Sequence, residues 1–373
     1  MKPSRFIERI FDLATIYLRR GPAGKLIAWG VALLTAGPLI TASINFRTAS
    51  EDGGYVSGTI RTTDPEWWVN VVCVGTGLIL IAAGLYLIFN THREQRRKLL
   101  VAIELRGLSQ TADTTIQSAI PSLAIGRRDS IFIDVRQLVQ GTVTQKQEAV
   151  DCINLIPARL RQLKDGRDRE DLSIYAGGLA PVPLLFLAGN LIAAESEVQW
   201  LDWDRTKARW VSPNEGTDLS KLLPINYEEL YEEVALAFSI SYPINLLEIN
   251  KAFPNTKVLE LKIENPAPGL VISEIAIQRL TQDFMNCIAK LQSKRASKIH
   301  LILAAPSVLS FRLGSCYAGR NMPELIIYQY QQAQKESPYP WGIRMPNSEV
   351  NSGRLVIHPA SQNEHSMTDK YIS

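Results

Sequence analysis

Two segments of this sequence place a turn of small residues and a proline directly before an apolar helical stretch. The first turn contains Gly178, Leu179, Ala180 and Pro181, and the second contains Ala305, Pro306 and Ser307. A proline in the first turn of a helix fixes φ, and the N–H groups of that turn have no partner within the helix. Such N–H groups and the positive end of the helix dipole bind phosphate, although a proline here can also serve only to start the helix. The two turns are therefore candidate phosphate cradles and the first choice for a binding pocket.

Hydroxyl, aromatic and basic side chains elsewhere could complete such a pocket for a nucleotide. Ser239, Ser241 and Tyr242 stand at or just after the end of a predicted strand. Base stacking on an aromatic ring contributes about 1 to 3 kcal/mol per base. The candidates for stacking are Trp203, Trp210 and Tyr242, together with Trp200, which is more readily a core residue. The candidate cations are Arg312, Arg205 and Arg209, each of which is equally readable as solvated surface charge.

The composition and the motifs of the sequence argue against several classes of function. The formal charge of +3 is too small for a binder of duplex DNA. The four cysteines are scattered without a CxxC pair, and the four histidines have no metal-ligand spacing, so neither disulfides nor a metal site is expected. The sequence contains no hydrolase, P-loop or kinase signature. We therefore predict a binding protein rather than an enzyme, with no cofactor.

Residues 125–346 alternate strand-like runs with helical stretches, which predicts an α/β domain. In each half, a strand passes through the proline turn into a helix with a glycine, as LSIYAGGLAPVPLLFLAGNLI and as IHLILAAPSVLSFRLGSCY. The strands VQWLDW and LIIYQY follow, and the first is expected to pair with residues 208–211 as a hairpin. The repetition predicts two fused Rossmann-like units, and the alternative is a chance similarity between two ordinary βαβ units. Gly189 and Gly314 are expected to be helix-packing positions, and residues 347–373 a polar tail.

Two uncharged apolar runs near the N-terminus, 26–46 and 67–89, are each long enough to cross a hydrocarbon core of about 30 Å. They predict a two-helix transmembrane region within residues 23–92, and a signal peptide is the competing interpretation of the first run. Basic residues flank the pair on both outer sides, so the positive-inside rule places both termini in the cytoplasm. Residues 1–22 predict an amphipathic interfacial helix, and residues 93–124 a cytosolic connector that continues the helix to Arg106.

Small residues in the two runs, among them Gly30, Gly75, Gly77 and Gly84, let membrane helices approach closely. They favour self-association of the spans, although small residues are also simply frequent in membrane helices.

A resemblance to the SAVED domain is carried by YAGGLAPVPLLFLAGNLI with VQWLDWDRTKARW, and by IHLILAAPSVLSFRLGSCYAGRNMPELIIYQYQ with the later Tyr339, Pro340 and Trp341. That domain is a fused pair of CARF-like Rossmann units that senses cyclic oligonucleotides in bacterial anti-phage signalling (CBASS). With the two predicted spans, the whole chain resembles the transmembrane SAVED effectors of those systems.

The resemblance implies a cyclic di-, tri- or tetranucleotide as the ligand, which would drive homo-oligomerisation so that the clustered spans disrupt the bacterial inner membrane. Two alternatives belong to other classes. One is a membrane-tethered nuclease or other hydrolase that acts on the cyclic nucleotide, with a serine and a lysine, or His300, in the crevice. The other is a regulatory subunit of a channel.

Overall fold

The computed structural model describes most of the chain and divides it into two compact units, Met1–Arg96 and Arg97–Ser373. The described residues are 22–36, 44–49, 55–60, 67–109, 112–194, 197–216, 218, 221–227, 230–267, 272–334 and 337–358. The predicted amphipathic helix at residues 1–22 lies, except for Pro22, outside the described residues. The same holds for most of the predicted polar tail, from residue 359 onward.

The first unit contains two helices and a short hairpin. The elements are α1 (Pro22–Ala36), β1 (Ile44–Ala49), β2 (Tyr55–Ile60) and α2 (Trp67–Arg97), and β1 pairs with β2 in antiparallel fashion. Within the described residues, one helix is long and apolar enough to cross a membrane, and its spanning segment is Val71–Glu94 with a mean hydropathy of 2.5. The second predicted span, 67–89, is therefore confirmed as a long apolar helix.

The first predicted span, 26–46, differs from the structure. Helix α1 has 15 residues and ends at Ala36, while Ile44 to Phe46 belong to strand β1. A helix of that length reaches about 22 Å, which is less than the hydrocarbon core. The sequence continues with Gly37 and Pro38, and because proline disfavours a helical conformation in the residue before it, a helix end at Ala36 is expected. Two spanning helices are not confirmed.

Three of the small residues in this unit pack the two helices against each other. A Cβ atom added to Gly30 would lie 2.7 Å from the carbonyl oxygen of Gly77, and one added to Gly77 would lie 2.9 Å from that of Gly30. Gly84 meets Ala23 and Ile27 in the same way, whereas Gly75 has open space around its Cα. Close approach within the chain therefore accounts for three of these glycines without any self-association.

The second unit begins with a four-stranded parallel sheet whose spatial order is β4-β3-β5-β6. Its strands are β3 (Leu99–Arg106), β4 (Arg127–Asp134), β5 (Leu172–Leu179) and β6 (Val198–Trp200). The helices between them are α3 (Arg136–Gln140), α4 (Val143–Asn154), α5 (Ile156–Lys164) and α6 (Val182–Ala193). Helices α4 and α5 are separated at Leu155, and Pro157 lies in the first turn of α5.

The structure corrects the predicted connector at residues 93–124. Residues 99–106 form β3, the second strand in the sheet, and not the continuation of a helix. Residues 99–105 are all buried, because the strand is covered on both faces. A short continuous apolar run of this kind cannot be told from a buried helix by its period, which explains the error. The second unit therefore starts near residue 97 and not near residue 125.

A separate hairpin follows the first sheet. Its strands β7 (Asp202–Asp204) and β8 (Arg209–Val211) pair with each other, while residues 198–200 pair with β5. The predicted hairpin strand 198–203 is thus two strands in two different sheets.

The second sheet has six strands in the order β10-β9-β11-β12-β13-β14. The strands are β9 (Glu233–Ser239), β10 (Lys257–Lys262), β11 (Lys298–Ala304), β12 (Glu324–Gln329), β13 (Trp341–Arg344) and β14 (Arg354–Ile357). The helices are α7 (Leu246–Ala252), α8 (Glu274–Ser293) and α9 (Ser307–Cys316). Strands β13 and β14 are antiparallel additions, so part of the predicted tail, residues 354–357, belongs to the sheet.

The first four strands of each sheet have the same topology. In chain order they occupy the spatial order 2-1-3-4, all parallel, as β4-β3-β5-β6 and as β10-β9-β11-β12. The predicted duplication of a Rossmann-like unit is therefore present in the fold. A chance similarity of two βαβ units would not extend to a fourth strand at the same position.

Helices α6 and α9 pack closely and in a reciprocal way. A Cβ atom on Gly189 would overlap the carbonyl oxygen of Phe311, and a Cβ atom on Gly314 would overlap the carbonyl oxygen of Phe186. Asn190 adds hydrogen bonds from its amide nitrogen to the carbonyl oxygens of Gly314 (3.1 Å) and Tyr317 (2.6 Å). These contacts confirm Gly189 and Gly314 as packing positions.

Substituting Gly189→Ala or Gly314→Ala is expected to destabilise the second unit. A helical glycine replaced by alanine normally gains about 1 kcal/mol from helix propensity, but here the methyl group would separate two helices, which costs about 1–3 kcal/mol. The variants should therefore melt several degrees below the wild type, as measured by thermal unfolding of the full chain in detergent. Ser315→Ala, at the next position of α9, is the control and should melt as the wild type does. An increased Tm for either glycine variant would contradict the close packing.

Candidate functional site

The two proline turns meet at one cavity in the second unit, with a volume of about 860 Å³. The residues that line it include Leu179 and Ala180 from the first turn, and Ala305, Pro306 and Ser307 from the second. They follow β5 and β11, so the cavity lies at the carboxyl ends of parallel strands in both sheets. Crevices at this edge of open α/β sheets are the usual place for ligands.

The backbone is arranged in the same way on both sides of the cavity. In the first half, the N–H groups of Gly107 and Leu108 both donate to the Leu179 carbonyl oxygen, at 2.7 and 3.0 Å. In the second half, the N–H groups of Ile240 and Ser241 both donate to the carbonyl oxygen of Ala304, at 2.9 and 2.8 Å. The chain after β3 and the chain after β9 are therefore held equivalently, and Leu108 and Ser241 both line the cavity.

Eight of the predicted site residues are brought together in this cavity. They are Leu179, Ala180, Trp203, Ser241, Tyr242, Ala305, Pro306 and Ser307. Arg205, one of the candidate cations, also lines it and is the one basic residue among the described lining residues.

Two predicted residues of the first turn do not line the cavity. The Cα of Gly178 faces Leu105 of the neighbouring strand, so its position allows close strand packing and not ligand contact. Pro181 is the N-cap of α6, and its carbonyl oxygen accepts from the N–H groups of Leu184 and Leu185. Its ring packs against Gly107. Pro181 thus starts the helix, which is the simpler of the two expectations.

Three further predicted residues do not line the cavity. Each of them has a hydrogen-bond or ion-pair partner elsewhere in the second unit. The Trp210 indole N–H donates to the Thr114 carbonyl oxygen at 2.9 Å. The Ser239 hydroxyl is fully buried and accepts from the Ile244 N–H at 3.3 Å. Arg312 pairs with Glu274 at 3.4 Å. Trp200 stacks on Phe311 with ring centroids 5.3 Å apart, as expected for a core residue.

Several cavity residues were not predicted, and the most informative is Asp202. Its side chain is only 6% exposed, and one carboxylate oxygen accepts from the Trp203 N–H at 3.0 Å. The backbone N–H of Val308 has a smaller effect in the same direction as the Trp203 N–H and lowers the pKa of Asp202. Burial raises the pKa of Asp202 to about 7, against these two N–H groups and the charge of Arg205, which lower it. Asp202 is part of the segment VQWLDW, but a carboxylate is not expected in a site that binds phosphate, because the two negative charges repel each other.

The proximity of Asp202 to the Val308 N–H bears on the interpretation of the second turn. Val308 belongs to the first turn of α9, whose N-cap Pro306 has no side-chain cap of its own. Asp202 therefore supplies the negative partner at this helix start. A carboxylate of the same chain thus lies near the phosphate cradle that was expected at the start of α9.

Arg205 is presented to the cavity by a tight turn between β7 and β8. The Asp204 carboxylate accepts from the backbone N–H groups of Thr206 (2.9 Å) and Lys207 (3.1 Å), which fixes this turn. The hydrogen bond from the Lys207 N–H is the main reason that the pKa of Asp204 lies below its usual value. Two neighbouring aspartates thus have opposite pKa shifts.

His300, the candidate for a hydrolytic role, lies behind the cavity wall. It is 8% exposed, and its ring nitrogens contact the Tyr328 hydroxyl at 3.1 Å and the Glu233 carboxylate at 3.0 Å. Burial lowers the pKa of His300, against the effect of Glu233. Tyr328 lines the cavity and His300 does not. The geometry supports a role for His300 in holding Tyr328.

Comparison with protein families gives two matches. The model described as "SMODS-associated and fused to various effectors sensor domain" (SAVED) matches residues 155–345, just over half of the chain. The model described as "SAVED-fused 2TM effector domain" (Saf_2TM) matches residues 4–150. No curated protein matches the chain.

Among solved structures, the chain is similar to Cap4 receptors. The Acinetobacter baumannii Cap4 SAVED/CARF-domain containing receptor with the cyclic trinucleotide 2'3'3'-cAAA is 11% identical, with a TM-score of 0.44, and covers 74% of this chain and 59% of that chain. The same receptor without a stated ligand is 10% identical, with a TM-score of 0.42 and coverages of 75% and 60%. The Moraxella osloensis Cap4 receptor is 13% identical, with a TM-score of 0.43 and coverages of 71% and 57%. This chain thus spans less than two thirds of the length of each of them.

Asp202→Asn is expected to change how the stability of the second unit depends on pH. The pKa of Asp202 is raised from 3.8 to about 7 in the folded protein, so the folded state binds more protons than the unfolded state between these values. The contribution of Asp202 to stability therefore decreases as the pH rises from about 4 to about 7. Asparagine does not titrate, so the Tm of the variant relative to the wild type should increase between about pH 5 and about pH 8.

Asp204→Asn is the matched control with the opposite sign. Because the pKa of Asp204 is lowered on folding, its carboxylate stabilises the folded state at neutral pH, and this stabilisation is lost in acid. That variant should lose stability at neutral pH and approach the wild type in acid. Thermal melts of the three proteins measure both effects. A constant or shrinking Tm advantage of Asp202→Asn with rising pH would contradict the buried position of this carboxyl group.

Proposed function

Because the chain belongs to the SAVED family of sensor domains, we propose that it binds a cyclic oligonucleotide in the cavity at the two proline turns. The observation that carries this proposal is the equivalence of the two cavity walls. A cyclic oligonucleotide repeats one chemical unit around a ring, so two equivalent walls can contact two of its nucleotides in the same way. The volume of about 860 Å³ lies within the range of about 300–1,000 Å³ that is usual for small-molecule sites.

The cavity offers neutral donors and one cation to an anionic ring. Arg205 can pair with a phosphate, and the hydroxyl groups of Ser241, Tyr242 and Ser307 can donate to phosphate or sugar oxygens. At the start of α6, Pro183 has no N–H and the N–H groups of Leu184 and Leu185 donate to the Pro181 carbonyl oxygen, which leaves the Val182 N–H as the backbone donor for a phosphate in this turn.

A SAVED sensor joined to a Saf_2TM effector is the combination used for cyclic-oligonucleotide sensing in anti-phage signalling. The Saf_2TM domain indicates association with a membrane, and α2 supplies an apolar helix of spanning length. Neither domain has a known catalytic activity. The chain is accordingly proposed to act as an effector and not as an enzyme.

The same proposal includes the membrane topology of the chain and the events that follow ligand binding. The chain crosses the bacterial inner membrane twice with both termini in the cytoplasm, and ligand binding drives assembly into homo-oligomers that disrupt the membrane. A ligand can favour assembly only if it binds the assembled state more tightly than the single chain. Exposed apolar residues on α2, such as Ile79 and Phe89, give the helix a surface for lipid or for a second copy.

The ligand is expected to stabilise the full chain in detergent. A ligand at 100 times its Kd stabilises the folded state by about 2.7 kcal/mol, which corresponds to about 5–10 °C for a domain of this size. A thermal-shift panel of cyclic di-, tri- and tetranucleotides should therefore contain a ligand with a rise of this order. Ser307→Trp, which fills the cavity, should abolish the rise, whereas Gln282→Trp on the exposed side of α8 should retain it. No shift with any ring, or an unchanged shift in Ser307→Trp, would refute the cavity as the site.

The same ligand is expected to cause leakage of dye from vesicles that contain the full chain. Leakage should require the ligand, should be absent in Ser307→Trp, and should accompany an increase in particle mass measured by light scattering. Binding without leakage or mass increase would separate the sensor from the proposed effector mechanism and refute the latter.

A further inference from the structure

The second unit begins directly after the apolar helix α2. The spanning segment of this helix ends at Glu94, the helix itself ends at Arg97, and one residue, Lys98, separates it from β3. Three helical residues beyond Glu94 add about 5 Å, and the headgroup layer on each side of a hydrocarbon core is about 5–8 Å thick. With α2 across the membrane, as proposed above, Lys98 therefore stands in the headgroup layer or directly beside it. This follows from the length of the chain and holds for every orientation of the second unit.

The loop before β4, residues 121–126, is held next to Lys98. Strand β4 is the parallel neighbour of β3, with Arg127 opposite Leu99, and the Arg127 N–H donates to the Lys98 carbonyl oxygen at 2.9 Å. Gly126 has a φ of 150°, and a Cβ atom there would lie 3.0 Å from the same oxygen. Both features favour glycine and let the loop approach closely. This β4 loop therefore lies at the end of the sheet where the chain enters the second unit.

The β4 loop presents apolar side chains to solvent. Leu123 is 91% exposed, and Ile125 is 38% exposed. The loop forms a closed turn, because the Ala124 N–H and the Arg128 guanidinium both donate to the Pro121 carbonyl oxygen, at 3.0 and 2.8 Å. An exposed leucine by itself is common on protein surfaces. Here the turn holds the leucine out beside the point where the chain leaves α2, which brings it within reach of the membrane interface.

The charges at this end of the sheet are complementary to an anionic surface. The basic residues are Arg97, Lys98, Arg127 and Arg128. Arg127 pairs with Asp129 at 3.2 Å, and Arg97 pairs with Asp171 at 2.8 Å, but both arginine side chains are about two-thirds exposed. Residues 164–170, before β5, add three basic and three acidic residues and so no net charge. The surface around the β4 loop is therefore positive, which favours anionic lipid headgroups.

The β4 loop also belongs to the effector part of the sequence. It falls within residues 4–150, which match Saf_2TM, and outside residues 155–345, which match SAVED. Strands β3 and β4 thus belong to the effector match, although they complete the first sheet of the second unit. A contact between this loop and the membrane agrees with its place in the sequence.

We propose that the β4 loop is a membrane-surface anchor, in which Leu123 inserts into the membrane interface and Arg127 and Arg128 bind the phosphates of anionic lipids. The inference rests on the proposed crossing of the membrane by α2. The eight residues of β4 span about 26 Å. An anchor at one end of this strand leaves the cavity, at the carboxyl ends of β3 and β5, open to a ligand from the cytoplasm.

The test places the photoreactive amino acid benzoylphenylalanine at one position of the full chain, in vesicles of equal parts of phosphatidylcholine and phosphatidylglycerol. After illumination, mass spectrometry detects lipid adducts and gel electrophoresis detects crosslinked chains. The probe in place of Leu123 should form lipid adducts. The probe in place of Gln140, which is exposed beyond the other end of β4, is the matched control and should form none. The probe in place of Ile79, on the exposed surface of α2, should form lipid adducts whatever the β4 loop contacts.

The role of charge is measured by the yield of lipid adducts at position 123. Arg127→Gln should lower this yield about fivefold, the effect of one basic residue at an anionic surface. Arg127→Lys should keep the yield, because it keeps the charge, whereas a merely structural role of the guanidinium would be lost in both variants. Vesicles of phosphatidylcholine alone should lower the yield at least as much as Arg127→Gln does.

The outcomes separate this inference from the function on which it rests. Lipid adducts at position 79 without adducts at position 123 overturn the anchor and leave the membrane crossing of α2 intact. A crosslink between two chains at position 123, equal yields at positions 123 and 140, or a yield that does not depend on phosphatidylglycerol also overturns the anchor. Absence of lipid adducts at position 79 overturns both proposals.

Discussion

The close contact between α6 and α9 is the constraint on which the rest of the second unit depends. Gly189 and Gly314 each face the backbone of the other helix at Phe311 and Phe186, so the helices touch without an intervening side chain. The contact is reciprocal, and it therefore fixes the relative position of the two Rossmann-like halves. Since both helices begin at the proline turns, the same contact brings Ala180 and Ala305 to one cavity. The packing of these two helices therefore also determines the geometry of the binding site.

The two halves keep the same backbone and have diverged in their side chains. Leu108 corresponds to Ser241, and Val182 corresponds to Ser307, so the second half supplies the hydroxyl groups. The second half also has the antiparallel strands β13 and β14, and Tyr328 and Tyr339 add aromatic surface to its wall. The cavity therefore has two equivalent frames with different chemistry. Such a site can hold two like units of a ring and still orient the ring in one way.

The sequence predicted those parts of the fold whose signals are local. The proline turns, the helix glycines and the strand that follows each helix are readable from a few adjacent residues, and the duplication follows from their repetition. Strand β3 was missed because a strand buried on both faces has no period to identify it. Asp202 was missed for a different reason. Its burial depends on residues distant in the sequence, among them Val308 in the other half, and no local pattern connects a hairpin residue to a distant helix start.

The electrostatics of the cavity also explain why composition gave no sign of a nucleotide site. Nucleic-acid binders usually show an excess of lysine and arginine, and this chain has a formal charge of only +3. The cavity is lined by Arg205 and by the acidic residues Asp202 and Glu248, so side-chain charge cannot supply the main attraction for an anion. Hydroxyl groups of the lining residues and the Val182 N–H at the start of α6 supply it instead, at fixed positions and without a net charge. Recognition of this kind depends on the shape of the cavity, which the contact between α6 and α9 determines. In the sequence, that contact is encoded by Gly189 and Gly314 and not by a cluster of basic residues.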